Sequence, residues 1–166
     1  MKLTIPAAIR PKMKDYGIKQ ESEGLLSWDF VREQLEKSMN YWLATSRPNG
    51  NPHAAPVWGV LFEDVVYFGT GETSRKARNF KHNPNVVLHT ESGFDTVIVE
   101  GKIKKLAERA LYDDIAPVYA MKYAPHNYEP TAEELAKGGL YRVVPAIVMA
   151  WKESDFPNTA TRWEFS

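Results

Sequence analysis

Short apolar runs bounded by turn residues fill the middle of the chain, and they predict strands. We expect strands over residues 41–45, 53–62, 65–70, 85–91, 96–106 and 140–151. Polar turn sequences separate several of them, such as RPNGNP at 47–52 and SGFD at 92–95. Pro145 inside the last strand indicates an edge or a bulge, because proline lacks the N–H that a central ladder needs.

Two other stretches have helical spacing on either side of these strands. Ser27 can cap a helix whose apolar positions share one stripe: Trp28, Val31, Leu35 and Met39. Residues 107–137 also follow a helical pattern, and we expect breaks at Pro117 and at the run APHNYEP, 124–130.

Where strands are joined by turns of two to six residues, these turns are too short for parallel crossovers, so the strands they join should be antiparallel neighbours. Several of them are apolar on both faces, which predicts a small, partly open barrel with one face inside. The other face must be covered by helices or by a second subunit, and we therefore expect a homodimer. The whole chain, 1–166, is expected to be one domain, with an N-terminal arm and helix at 1–40 and a helical excursion at 107–139.

Composition excludes several classes of function. The 21 basic and 21 acidic residues give zero net charge, which argues against a nucleic-acid or anionic-membrane partner. There are no cysteines, and the four histidines lack the spacing of metal ligands, so we expect no metal site. The N-terminus lacks the apolar core of a signal peptide and no later run could span a bilayer, which predicts a cytoplasmic protein.

A further helix is predicted within the strand-rich region, directly after the third expected strand. Thr73 or Ser74 is a good N-cap, because its hydroxyl can accept a hydrogen bond from an amide of the first turn. Ala77 and Phe80 should face inward, and the helix should stop before Pro84.

The same helix begins with cations, in the run TSRKARN at 73–79. Arg75, Lys76 and Arg78 oppose the positive end of the helix dipole, where acidic residues are usual. One interpretation is a solvated charged face. The other is an anion site, because helix amides, the Ser74 hydroxyl and the cations converge after the glycine-containing run FGTGET, as phosphate binding requires. The run is neither a Walker loop nor a dinucleotide fingerprint.

These motifs occur in one order along residues 41–101: LAT, then G.PH..PVW, YF.TG..SRKARN and NP.V. This ordered set resembles the pyridoxamine 5′-phosphate oxidase-like family, and the ending YRVVPAIVMAW with ATRWEF fits it more loosely. The resemblance implies a mainly β fold, the six-stranded antiparallel split barrel of the FMN-binding type. It also implies a homodimer with the cofactor at the subunit interface.

The resemblance implies roles for ten residues. The cofactor phosphate would be held by Ser74, Arg75 and Lys76. The ring system would lie beside the second strand, at Pro56, Val57, Trp58 and Gly59. The ribityl-phosphate side would contact Gly69 and Thr70. Thr96 stands where the phosphate oxidases place a glutamine across the dimer.

The sequence departs from the true phosphate oxidases at two points. Pro56 and Leu61 replace an arginine and a lysine of the second strand, and ATRWEFS lacks the arginine motif for the product. The pattern fits better the branch that uses FMN, or the deazaflavin coenzyme F-420, to reduce small organic molecules by hydride transfer. We favour FMN because a compact phosphate site is the simpler interpretation.

The alternative function is a non-catalytic flavin- or haem-binding sensor or carrier on the same barrel. The sequence identifies no essential acid or base. Four residues are candidate neighbours of the substrate, although a structural role is favoured for each of them: Tyr119, His126, Arg162 and Trp163.

Overall fold

The computed structural model describes residues 3–166 and contains seven strands. They are β1 Asn40–Ser46, β2 Pro52–Phe62, β3 Val65–Gly69, β4 Asn85–Thr90, β5 Asp95–Lys105, β6 Leu140–Lys152 and β7 Thr161–Glu164. The helices are α1 Trp28–Lys37, α2 Arg75–His82, α3 Arg109–Tyr123, α4 Ala132–Gly138 and α5 Phe156–Thr159. Short 3-10 turns at Ala124–His126 and Glu153–Asp155 follow α3 and β6.

The sheet closes into a six-stranded antiparallel barrel. Its strands are paired in the order β3-β2-β1-β4-β5-β6, and β3 also pairs with β6 to complete the ring. This confirms the fold that the sequence predicted. The additional strand β7 pairs with β6 outside the ring, and the sequence did not predict it because four residues carry too little pattern.

A bulge lets β6 serve two neighbours. The register of β5 and β6 shifts between Glu100 and Gly101, so that Ala146 is the extra residue opposite them. Beyond the bulge β6 pairs with β7, and before it β6 pairs with β3. Pro145 lies at this shift, which confirms the expected bulge. A bulge suits proline because the regular ladder, which would need its missing N–H, is interrupted there.

The core has two parts. The barrel interior buries side chains from every strand of the ring together with Val31 and Leu35 of α1 and Trp163 of β7. A second cluster lies outside the barrel, where α3 and α4 pack on β2 and β3. The run Val65–Phe68 is therefore buried on both faces.

Two details of the helices differ from the predictions. Pro117 does not break its helix, since α3 runs from Arg109 to Tyr123. Pro117 has no N–H to donate to the carbonyl of Asp113 one turn earlier. Both Asp113 and Pro117 lie at the surface, where water can satisfy that carbonyl. Ser27 occupies the N-cap of α1 but makes no side-chain cap bond, and Met39 lies beyond the end of that helix.

The helical segment 109–138 is attached to β2 through polar contacts. Lys122 Nζ donates to Gly59 O at 2.8 Å and lies over the Tyr41 ring, 4.7 Å from its centroid. The Tyr123 hydroxyl accepts from Gly59 N at 2.8 Å. The backbone N–H and C=O of Gly59 therefore both have hydrogen-bond partners in the helical segment. No helix among residues 3–166 is long and apolar enough to cross a membrane.

The bulge leads to a test of the barrel geometry. A Cβ at Gly101 would lie 2.2 Å from Val144 O, so Gly101→Ala must displace backbone. We expect a loss of about 2–3 kcal/mol of unfolding free energy in urea titrations. Gly93→Ala is the matched control, because a Cβ there meets nothing within 4 Å. Equal stability of the two variants would contradict the bulge.

The attachment of α3 leads to a pH-dependent test. Burial lowers the pKa of Lys122 from 10.5 to about 8, so the native state releases this proton before the unfolded state does. Between pH 8 and 10.5 the wild type should therefore gain stability relative to Lys122→Met, by about 1 kcal/mol for a partly buried group. Chemical denaturation at several pH values measures this difference, and Lys137→Met on the exposed side of α4 is the control. A stability difference between wild type and Lys122→Met that stays constant across that range would refute the lowered pKa of Lys122.

Candidate functional site

The start of α2 forms a compact polar cluster. Ser74 is the N-cap, and its Oγ accepts from Ala77 N at 3.2 Å. Thr70 Oγ1 lies 3.0 Å from Ser74 Oγ, and Ser74 N donates to Gly71 O at 3.0 Å. The end of β3 and the start of α2 are thus held together, with two hydroxyl groups beside the first helix amides.

The cations of this helix are not neutralised within the described chain. Within residues 3–166, Arg75, Lys76 and Arg78 form no ion pair, and the first turn of α2 contains no acidic residue. The nearby Glu72 pairs instead with Lys105 of β5. A capped helix start with free cations can hold a phosphate through amides, hydroxyls and charge.

A groove of about 170 Å³ lies next to this cluster. Three predicted site residues line it: Trp58, Gly69 and Thr70. Because Thr70 also contacts Ser74, the groove and the polar cluster are continuous. The structure therefore brings together residues from β2, β3 and α2 that are far apart in the sequence.

The remaining predicted residues of β2 differ in what they present. Pro56 and Trp58 are exposed on the outer face, whereas Val57 is buried in the barrel core. The Trp58 ring stacks on Tyr123, with centroids 4.6 Å apart and 9° between the planes. Gly59 is buried, and its N–H and C=O are already bonded to the helical segment. Of these four residues, Pro56 and Trp58 have side chains that a ligand can reach from outside.

Thr96 is not part of this cluster within one chain. It lies near the start of β5, whereas Lys105, the partner of Glu72, lies at the other end. Nine residues of extended strand separate them by roughly 30 Å. Thr96 Oγ1 is buried and has no hydrogen-bond partner among residues 3–166.

The candidate substrate neighbours divide into two groups. Tyr119 lines the groove, with its hydroxyl 3.2 Å from Trp58 O and 3.3 Å from Tyr67 O, and burial raises its pKa, so the hydroxyl stays neutral. The His126 ring lies 5.8 Å from that of Trp58. In contrast, Arg162 and Trp163 lie on β7, where Arg162 pairs with Glu164 and Trp163 packs against the core.

The helical segment supplies a groove wall that the sequence analysis missed. The added lining residues are Tyr128, Glu134, Leu135, Gly138 and Gly139. The spacing of Tyr119 and Tyr123 by four residues indicated a shared helix face, but nothing local indicated which strand that face would meet.

A buried polar residue of α2 was also missed. Asn79 is fully buried between Ala77 and Phe80, and its Nδ2 donates to Thr45 Oγ1 at 2.8 Å. The sequence signal for its burial was the position of Asn79 directly before Phe80, which was expected to face inward. Among residues 3–166 no group of three or more potential metal ligands lies together.

The fit to a flavin nucleotide can be judged from these contacts. Hydroxyls, helix amides and free cations suit a phosphate, and an aromatic groove with glycine walls suits the edge of a flat ring. The groove is smaller than the 300–1,000 Å³ or so typical of complete ligand pockets. One chain thus provides part of such a site.

Comparisons with known proteins agree with this architecture. The chain is similar in fold to a conserved hypothetical protein from Mycobacterium tuberculosis, with TM-score 0.67, 21% identity, and coverage of 81% of this chain and 89% of that chain. An F-420 reductase is also similar, with TM-score 0.56, 22% identity, and coverage of 70% and 94%. At these identities the similarity shows the fold.

A third similar structure is PhzG from Burkholderia lata in complex with tetrahydrophenazine-1-carboxylic acid, with TM-score 0.57, 21% identity, and coverage of 84% of this chain and 83% of that chain. No curated protein sequence matches the chain significantly. The family model described as pyridoxamine 5′-phosphate oxidase matches residues 27–152, which is most of the chain. The chain therefore belongs to the pyridoxamine 5′-phosphate oxidase family.

Proposed function

We propose that the protein is an oxidoreductase that binds FMN and transfers hydride between the flavin and a small organic substrate. The observation that carries this proposal is the junction of a capped, cationic helix start with an aromatic groove. Family membership supports it, and so does the presence of an F-420 reductase among proteins of the same fold.

Each part of the junction has a binding role in this proposal. Ser74, Arg75 and Lys76 hold the phosphate, and Thr70 contacts the chain that links it to the ring. Trp58 and Tyr119 lie along the ring and keep water from it. The bound flavin supplies the hydride chemistry, and the protein supplies orientation and electrostatics.

The substrate is not pyridoxamine phosphate in this proposal. Pro56 is exposed at the outer face of β2, and Leu61 packs against the apolar core. Neither position offers the positive charge that would bind the phosphate of pyridoxamine phosphate, in addition to the phosphate of FMN. The Arg162 side chain is also engaged, since it pairs with Glu164 on β7.

FMN is favoured over the deazaflavin by the size of the cationic cluster. FMN ends at its phosphate, whereas the deazaflavin continues into a tail of carboxylates, each of which asks for a cation or open solvent. Arg78, Lys81 and His82 on α2 permit such a tail. They do not require one, because exposed basic residues on a helix are commonly solvated.

A homodimer with the cofactor at the interface completes the site. The outer faces of β1 and β4 expose apolar side chains, with Trp42 40% and Val87 36% exposed. Ala44 of β1 pairs with Val87 of β4 on one side and with Ala54 of β2 on the other. A second chain would cover this face, and it would enlarge a groove that is too small for a whole flavin in one chain.

The direct test of the function is the absorption spectrum of the purified protein, followed by identification of any released ligand by mass. Reduction of bound FMN and its reoxidation by small acceptors would support the oxidoreductase. Tight FMN binding without hydride exchange with any donor would instead indicate the carrier or sensor.

The phosphate assignment predicts the effect of one substitution. Arg75→Ala should weaken FMN binding by about 10- to 100-fold, because a charge-assisted hydrogen bond contributes roughly 1.5–3 kcal/mol. Arg78→Ala, one step around the same helix, should have a smaller effect. Fluorescence titration measures both, and equal FMN affinity in wild type and Arg75→Ala would refute the assignment.

The dimer assignment predicts a change of mass in solution. The wild type should have about twice the 18.9 kDa of one chain in light scattering at micromolar concentration. Ala44→Glu places like charges in the apolar face, so it should give monomers and weaken FMN binding together. Met121→Glu is the control, since Met121 is 83% exposed on α3, the helix that packs on β2 and β3. A wild-type monomer with FMN bound would contradict the proposal.

A further inference from the structure

His53 is tied to the phosphate-binding helix by a chain of side-chain contacts. It lies on β2 opposite Thr45 of β1, and its Nδ1 is 3.4 Å from Thr45 Oγ1. The same oxygen accepts from Nδ2 of the fully buried Asn79 at 2.8 Å. Three elements, β1, β2 and α2, therefore meet at one hydroxyl group.

The cations of α2 share the helix face that carries Asn79. Lys76 precedes Asn79 by three residues and Arg75 by four, which places them on neighbouring turns of one face. Burial lowers the pKa of His53, and the charges of Arg47, Lys76 and Arg75 lower it further. Arg47 belongs to the turn between β1 and β2. The imidazole thus faces cations from two elements and lies close enough to respond to their charge.

The Thr45 hydroxyl can serve either protonation state of His53. With a neutral ring it donates its proton to Nδ1. With a charged ring Nδ1–H donates to Thr45 Oγ1, and the hydroxyl proton turns to His53 O, 3.3 Å away. Neither state leaves Nδ1 without a partner, so the contact with Thr45 permits both forms of the ring.

We propose that His53 is a proton-linked part of the phosphate site, which takes up a proton when a doubly charged phosphate monoester binds to the Ser74–Lys76 cluster. The proposal rests on the proposed function. Without a ligand the cations repel the proton, and a dianion reverses that field. A monoester such as FMN gains from this extra charge, whereas a singly charged diester such as the deazaflavin gains less. His53 is therefore a specificity determinant of the same site.

The experiment compares FMN affinity in wild type and His53→Gln between pH 5.5 and 8, by fluorescence titration at fixed ionic strength. The two proteins should bind alike at pH 8, and the wild type should bind about 3- to 5-fold more tightly near pH 6, because a rise of about one pKa unit on binding has its full effect only well below both pKa values. The phosphate of FMN also titrates near pH 6, but it does so equally for both proteins. His82→Gln at the exposed end of α2 is the control.

A second measurement uses only the wild type, so its result cannot come from a structural effect of a substitution. Calorimetry of the wild type at pH 7, where free FMN is already mostly dianionic, should show net proton uptake with FMN in two buffers of different ionisation enthalpy. Riboflavin, which lacks the phosphate, should show none, and the deazaflavin should show less than FMN.

The outcomes distinguish this proposal from the function on which it rests. An identical pH dependence in wild type and His53→Gln, or equal proton uptake with FMN and riboflavin, would overturn the role of His53 and leave FMN binding standing. Failure of the folded wild type to bind FMN at any pH would overturn both.

Discussion

The pairing of β3 with β6 closes the sheet, and the position of the site depends on that closure. β3 ends at Gly69, opposite Leu140 at the start of β6. The next residue, Thr70, donates its N–H to Gly139 O at 3.4 Å. Because a ladder fixes its register, the loop that carries Thr70 is held against the end of α4. The groove forms where these segments meet, and the polar cluster continues from it.

The helix α2 contains the main local conflict in the protein. Its cations oppose the dipole, and no acidic residue in the first turn offsets them. The barrel tolerates this arrangement because α2 is anchored independently of charge, by Ala77 and Phe80 in the core and by the bond from Asn79 to Thr45. A helix held by burial can keep unfavourable charge available for a ligand.

The helical segment 109–138 gives the site its second wall. Lys122 and Tyr123 bind the backbone of Gly59, and the Trp58 ring stacks on Tyr123. The same contacts cover apolar surface of β2 and β3 that an isolated barrel would expose. Within residues 3–166 the outer faces of β1 and β4 have no such cover, and the two sides of the barrel therefore differ in what they can bind.

Much of the fold could be predicted from local pattern. Strand positions follow from short apolar runs and turn residues, and α2 follows from a capping serine at one end and Pro84 at the other. The errors arose where local rules compete with tertiary packing. Pro117 looked like a helix break, yet α3 continues through it because its partners on β2 and β3 hold the rest of the helix. Strand β7 is too short to show a pattern and exists because β6 offers it an edge.

The sequence alone determined which residues form the capped, cationic start of α2, because Ser74, Arg75 and Lys76 are adjacent and their capping is local. Tertiary structure alone decided what surrounds them. Strand pairing sets which residues from β1 and β2 approach α2, and so places His53 and Thr45 beside Asn79. Helix packing likewise places Tyr119 against β2, about sixty residues away. Such contacts depend on register and on the closure of the barrel, and no short window of sequence contains that information.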